Sequence, residues 1–396
     1  MKITLKKTMA LALCAMLLLL AAIPALNVHA EPATTKVLKV KKVLTKAEKG
    51  VTTPTEDFTF TATAHSFDNN EAKKDDCPDL TSGIAKYTEA DDTDNDATKD
   101  GKQLFKQSDD MLSGVTFTKA GQYTYTVKET AGSTTGMTYS QAEYLVSLMV
   151  VKSGDNYVVD KILIKKTKND DGTPTNNDTK TTYNPDEDNN GANNNLAFNN
   201  IYDKTGGNET PEPGTPEPGT PSDTDKQGFV VNKVVDSDTA AEFGFKLTLD
   251  APKGATEAAL AVAPTAKIVR NNSTIEDVTL NAYGTPTEFK LKKGEKLVLT
   301  KVLLGSTAKV EETDAQGFTP SVSANGFDGT ITSLDSLKNA GVVLSDKGGN
   351  YATVTNTQQS ITGILIHNLP FILLFIVAVA GITVYIRNRN RAKSEF

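Results

Sequence analysis

Residues 37–44 read VLKVKKVL. With the period of two that a β-strand imposes, Leu38, Val40, Lys42 and Leu44 share one face, and Lys39 and Lys41 point the other way. An unpartnered ammonium on an apolar face is expensive, so Lys42 asks for a partner. The same alternation supplies candidates further on. In YTYTVKE, Tyr123, Tyr125, Val127 and Glu129 share a face while Lys128 points outward, and in LAFNNIY, Leu196, Phe198, Asn200 and Tyr202 align. The second half of the chain repeats the arrangement. Phe229, Val231, Lys233 and Val235 align in FVVNKVV, Ala308, Val310 and Glu312 in AKVEE with Glu311 outward, and Ala352, Val354 and Asn356 in ATVTNT. Lysine, glutamate and asparagine therefore occur twice on apolar faces, in that order, with lysine on the first strand and asparagine on the last.

The intervening runs, among them DFTFTATA, GVTFT, AEYLVSLMVVK, YVVDKILIKK and EFGFKLTL, are short, β-rich and bounded by turn residues. They predict an all-β body of two tandem immunoglobulin-like β-sandwich domains, over 33–204 and 227–358. Between them lies a proline-rich linker, 205–226, in which Thr210–Gly214 and Thr215–Gly219 are identical TPEPG repeats. Proline at this density predicts an extended spacer that decouples the two domains. The polar stretch 169–195 lacks the apolar residues to build a core and reads as a long loop.

The two ends have a different pattern. Residues 1–30 begin with Lys2, Lys6 and Lys7, continue as an apolar run and close with Val28 and Ala30 at the −3 and −1 positions of a cleavage site. This is a secretory signal peptide. Cys14 follows Leu13 where a lipoprotein signal needs a small residue, so it is an ordinary leader residue. At the other end, 364–386 is an apolar span long enough to cross a bilayer, and 387–396 is a basic tail whose Arg387, Arg389, Arg391 and Lys393 favour the cytoplasmic side. One reading is a permanent single-pass anchor. The other takes 359–363, QSITG, as the pentapeptide of a sorting signal cleaved between Thr362 and Gly363.

Charge and rare residues narrow the chemistry. The full chain carries a formal charge of −7, which becomes −13 once the three lysines of the leader and the net three positive charges of the tail are set aside. So acidic a body argues against nucleic acid as a partner. It holds one histidine, His65, and one cysteine, Cys77, and the chain has no tryptophan. No internal disulfide, Cys/His metal cluster or cofactor is expected. Cys77, in the acidic stretch DDCPDL, reads as an exposed loop residue. Asp92, Asp94 and Asp96 have the alternate spacing of a calcium loop, but Ala97 stands at the glycine position and Gln103 where a bidentate glutamate belongs, so no metal is expected there either. No recognisable hydrolase motif is present.

The chemistry that calls for a buried lysine, glutamate and asparagine is a spontaneous amide bond between side chains. Burial lowers the lysine pKa and raises that of the glutamate. Neutral lysine attacks the asparagine Cγ, ammonia leaves, and the protonated glutamate polarises the carbonyl and carries the proton. A folded core supplies the effective molarity. The plainer account is a buried ion pair beside a hydrogen-bonded asparagine. Its recurrence in the same order and on the same faces favours the bond.

The body resembles Gram-positive pilin subunits with intramolecular isopeptide bonds, in particular the streptococcal major pilins of the T-antigen type. LKVKKVL followed by DFTF resembles their opening strands, AGQYTYTVKETAGSTTGMTYSQAEYLVSLMV the glutamate-bearing strand and its successor, and FNNIY the closing asparagine strand. In the second half, EFKLKKGEKLVLTKVLLGSTAKVEETDAQGFT resembles the collagen-adhesin B-type domains. The end of the chain resembles the cell-wall sorting signal of Gram-positive surface proteins, although QSITG lacks their proline. The resemblance implies bonds Lys42–Asn200 and Lys233–Asn356, with Glu129 and Glu312 as the catalytic acids. It implies a secreted, wall-attached structural protein, a pilus component or adhesin stalk rather than an enzyme. Its partners would be a sortase and either peptidoglycan or other pilin subunits. The alternative is a monomeric surface protein that does not assemble. Shaft pilins also carry a donor lysine a few residues before the bonding asparagine. Here Lys180 and Lys204 are the nearest lysines, with none between them, and the tryptophan-containing pilin motif is absent.

Overall fold

The computed structural model describes residues 36–93, 96–98, 101–176, 179–211, 228–271, 273–358 and 361–393. The leader, most of the TPEPG repeats and the first two residues of QSITG lie outside them. Two β-sandwiches fill the body. In the first, a five-stranded sheet runs in the order Asp96–Thr98, Gly101–Gln107, Lys41–Lys46, Ala197–Tyr202, Met137–Thr138. A six-stranded sheet, in the order Thr181–Thr182, Asn156–Lys168, Glu143–Ser153, Gly121–Thr130, Glu56–Phe67, Gly83–Tyr87, packs across it. Phe60 of one sheet meets Phe198 of the other with ring centroids 5.1 Å apart. In the second sandwich the strands Lys296–Leu303, Val230–Val235 and Tyr351–Thr357 lie at the centre of the larger sheet, and Phe243–Asp250 and Thr307–Asp314 at the centre of a four-stranded one.

In both sandwiches the first and last strands are neighbours and run parallel. Lys41–Lys46 pairs with Ala197–Tyr202, and Val230–Val235 with Tyr351–Thr357. A parallel pair needs a long crossover, and here the rest of each domain serves as one. The registers match. Leu44 lies opposite Asn200 and Val235 opposite Asn356, so each lysine sits two residues before its asparagine's partner. With side chains alternating faces, that offset puts lysine and asparagine side by side on the inward face.

Several sequence expectations need correction. Thr205 and Gly206 do not begin a free spacer. They pair with Leu303 and Val302 of the second sandwich, and the Asn208 N–H donates to the Leu299 carbonyl. The two sandwiches also touch directly. The Asp346 carboxylate accepts from the Thr52 N–H and Oγ1 and from Lys204 Nζ, at 2.8–2.9 Å. Gly50 approaches so closely that a Cβ there would lie 2.2 Å from the Leu344 carbonyl oxygen, and its φ of +77° also favours glycine. Cys77 is buried, because the 3₁₀ turn Glu71–Asp76 folds it against the sheet with its thiol 3.5 Å from the Ser66 carbonyl. Burial pushes that thiol's pKa up, which makes it a poor nucleophile. Of the acidic stretch with alternate aspartates, Asp94 lies outside the described residues, and Asp96–Thr98 pairs antiparallel with Gly101–Gln107. The polar stretch 169–195 is largely loop, yet it packs. Thr181–Thr182 joins the sheet edge, and Tyr183 is buried with its hydroxyl on the Lys39 backbone.

Ile361–Lys393 is a single helix, and its segment Leu369–Arg389, with mean hydropathy 2.6, is long and apolar enough to cross a membrane. Thr362 and Gly363 fall in its first turn.

Candidate crosslinking sites

Each predicted trio converges in the core between the two sheets of its sandwich. Lys42 and Asn200 come from the parallel first and last strands, and Glu129 reaches them from Gly121–Thr130 in the facing sheet. Lys42 Nζ lies 2.8 Å from Glu129 Oε2, and Asn200 Nδ2 donates to Glu129 Oε1 at 2.6 Å. Lys42 and Asn200 have no exposed surface. In the second sandwich Lys233 Nζ lies 2.9 Å from Glu312 Oε1, and Asn356 Nδ2 donates to the same oxygen at 3.0 Å. Lys233 and Asn356 are likewise fully buried. The outward neighbours also fall as expected, with Lys128 paired to Glu143 and Glu311 to Lys338 at the surface.

Burial sets the electrostatics of both sites. Desolvation lowers Lys42 and Lys233 to about 8, against the attraction of their glutamates. Desolvation also raises Glu129 and Glu312, despite the nearby ammonium and the asparagine hydrogen bond. Each pair is thus shifted towards the neutral amine and neutral acid that amide formation requires.

The alternation pattern did not reveal the aromatic walls. Phe58 lies under Lys42, with Nζ 4.7 Å from the ring centroid, and Phe60 stands opposite Glu129 on the neighbouring strand. Phe243 lies 4.3 Å from Lys233 Nζ, and Phe245 stands opposite Glu312. The signal was present as Phe-x-Phe on the second strand of each domain, in DFTF and EFGF. An aromatic face both excludes water and tolerates a cation. A second surrounding group left no such trace. Ser140, in a loop, donates its backbone N–H to Asn200 Oδ1 at 2.7 Å.

Two sandwiches, each bringing its first strand beside its last around a buried lysine, glutamate and asparagine, have the arrangement that an isopeptide domain requires. Residues 38–203 match the family model described as Spy0128-like isopeptide containing domain, and residues 228–358 match Domain of unknown function (DUF7601). Among solved structures, the chain is similar to the major pilin T-13 of Streptococcus pyogenes, with 20% identity over 82% of this chain and 98% of that one and a TM-score of 0.32. It is also similar to the T3.2 major pilin of the same organism, with 22% identity over 82% and 99% and a TM-score of 0.33. A third is the pilus-presented adhesin Spy0125 (Cpa), at 10% identity over 81% and 99% with a TM-score of 0.25. No curated protein sequence matches the chain. The likeness to a family model that describes isopeptide domains is thus confined to residues 38–203, the first sandwich.

Proposed function

We propose that the protein is a wall-anchored pilus component or adhesin stalk whose two domains form the bonds Lys42–Asn200 and Lys233–Asn356 by themselves. The observation that carries this reading is the repeated site, with the same residue types, order, register offset and burial in two domains. In each, the lysine lone pair attacks the asparagine Cγ, the Nζ–Cγ bond forms and the Cγ–Nδ2 bond breaks. The proton lost by Nζ passes through the glutamate to the departing nitrogen, which leaves as ammonia. The product is neutral, so no buried charge remains to oppose folding. The chain acts only on itself, which suits a structural protein that needs no cofactor.

The C-terminal helix supports a transient anchor, with sortase cleaving between Thr362 and Gly363 and joining Thr362 to peptidoglycan or to another subunit. For that the first helical turn has to unwind. Of the two lysines near the closing strand, Lys204 is engaged by Asp346, whereas Lys180 is exposed and lies 3.4 Å from Ser147 Oγ, so Lys180 is the better intersubunit donor. Mass spectrometry of the folded body, residues 31–362, tests the central point. Its mass should fall short of the sequence mass by two ammonias, with both linked peptides recovered after digestion. A full sequence mass in the folded protein rules the reading out.

A further inference from the structure

The two sites share their trio but differ around the amide that is attacked. In the first sandwich, Ser140 N–H points at Asn200 Oδ1, which fixes the amide orientation: oxygen towards Ser140, nitrogen towards Glu129. Glu129 therefore sits on the leaving-nitrogen side rather than on the carbonyl. The Ser140 amide is itself held. Its Oγ donates to Asp170 Oδ1 at 2.6 Å, and the same carboxylate oxygen accepts the Asn199 N–H at 2.8 Å. Asp170 thereby clamps the residue that carries the donor to the neighbour of the residue that carries the acceptor. Lys166 Nζ holds the other carboxylate oxygen at 3.0 Å. In the second sandwich, Asn356 Oδ1 is buried and has no hydrogen-bond donor among the described residues.

Resting on the crosslinking function proposed above, we infer that the Ser140 backbone N–H is an oxyanion donor for bond formation at Asn200, that Asp170 is its positioning residue, and that the Lys42–Asn200 bond therefore forms before the Lys233–Asn356 bond. When Lys42 attacks Cγ, the π electrons of the carbonyl move onto Oδ1. A donor already in place stabilises that charge without reorganisation. Collapse of the intermediate expels Nδ2, which takes its proton from Glu129. At Asn356 no fixed donor exists among the described residues, so the Glu312 proton has to serve both the carbonyl and the leaving nitrogen.

The test follows both bonds in one molecule. The full chain is synthesised in a cell-free reaction, quenched in denaturant at intervals and digested, and the two linked peptides are counted by mass. In the wild type the Lys42–Asn200 peptide should appear first. Ser140→Pro removes the N–H and should delay it on the order of 100-fold, the loss typical of one oxyanion donor, with the Lys233–Asn356 peptide as an unaffected internal clock. If protease resistance shows that this variant misfolds, the Asp170 pair decides. Asp170→Ala should slow the first bond, and Asp170→Asn, which keeps the Oδ1 acceptor, should restore it. Both remove the same negative charge near Lys42 and so should shift the pH dependence of the rate equally, and the difference in rate between them reads the clamp on the donor. A wild-type rate in Ser140→Pro or Asp170→Ala, or a second-domain bond that forms first, overturns the inference while leaving the crosslinks standing. Absence of both linked peptides from the wild type overturns the crosslinking function instead.

Discussion

The first sandwich surrounds its lysine, glutamate and asparagine with polar support, and the second surrounds the same trio with little but phenylalanine. Near Asn200 stand the Ser140 amide, Asp170 and the hydrogen-bonded pair Tyr139–Glu56. Near Asn356, Phe243 and Phe245 crowd Lys233, and both Asn356 Oδ1 and Glu312 Oε2 are buried with no hydrogen-bond partner among the described residues. Yet both lysines fall to about the same pKa and both glutamates rise. Burial is thus the leading cause of activation of the nucleophile and the acid, and either lining provides it. Stabilisation of the carbonyl oxygen depends on one placed donor, and only one site has it.

The largest expected effect is all-or-none and tests the part that the sites share. Glu129→Ala and Glu312→Ala should each restore one ammonia to the mass of the folded body, because the acid that protonates the leaving nitrogen is gone. The comparison sharpens in the residual rate. Long incubation should give some Lys42–Asn200 product in Glu129→Ala, where the Ser140 donor remains, and none at the second site in Glu312→Ala. Equal residual rates would mean that the two carbonyls are equally supported.

Next in size is stability. Each proposed bond would close a loop of more than a hundred residues. By the loop-entropy argument used for disulfides, such a link contributes about 4–5 kcal/mol. Lys42→Ala and Lys233→Ala should each lower the melting temperature of their own sandwich by tens of degrees. Calorimetry of each variant checks this. A melting curve for Lys42→Ala that overlays the wild type would show that no bond forms in the first domain.

Both trios were legible in the sequence because a strand obeys a strict period of two and the core punishes unpartnered charge. Lys42, Glu129 and Asn200 each broke an otherwise apolar face, and the second domain broke it in the same order. The sandwiches were legible for the same reason. The Phe58 and Phe243 walls were half-visible, since Phe-x-Phe on a strand looks like any other core. Ser140 was not visible at all. Its contribution is a backbone N–H, which every residue but proline carries, and its position depends on Asp170 in a polar stretch that looked like unstructured loop. The contact between the sandwiches was hidden similarly. Asp346, in SDKGGN, has the composition of a surface turn, and only the fold brings Thr52 and Lys204 to it.

That contact gives the third prediction, because it makes the sandwiches unequal neighbours rather than independent beads. Asp346→Ala leaves the Thr52 and Lys204 donors without their acceptor, at a cost of about 1–3 kcal/mol. Calorimetry should then separate two transitions that lie closer together in the wild type. Acid should do the same. Burial works against the charged carboxylate of Asp346, but the hydrogen bonds from Lys204 and Thr52 outweigh it and hold its pKa below the ordinary 3.8. A depressed carboxylate contributes stability above its unfolded pKa and loses it as the pH falls through the folded one. Coupling should therefore persist at pH 5 and above and fade below about pH 4. If Asp346→Ala melts as the wild type does, the sandwiches are held by their other contacts, among them Thr205–Gly206, the close backbone packing at Gly50 and the Thr256–Asp203 hydrogen bonds.

The smallest expected effect is the pH dependence of bond formation, and it tests whether the two pockets are as alike electrostatically as burial makes them. Reaction needs neutral lysine and protonated glutamate. That state holds the same number of protons as the ion pair, so its share of the population is constant while the pair keeps one proton. As the pH rises past about 8 the remaining proton leaves, the glutamate no longer acts as an acid, and the rate falls about tenfold per pH unit. As the pH falls below the raised glutamate value, a second proton binds, the lysine is fixed as ammonium and the rate falls again. Both bonds should therefore show a flat maximum with a basic limb near 8, read from the linked-peptide time course at a series of pH values. The Ser140 donor carries no titrating proton in this range, so it should raise the first-domain curve without displacing it. Basic limbs that differ by more than about one unit would show that the charges of Asp170 and Glu56 near Lys42, which oppose burial there, separate the two lysines.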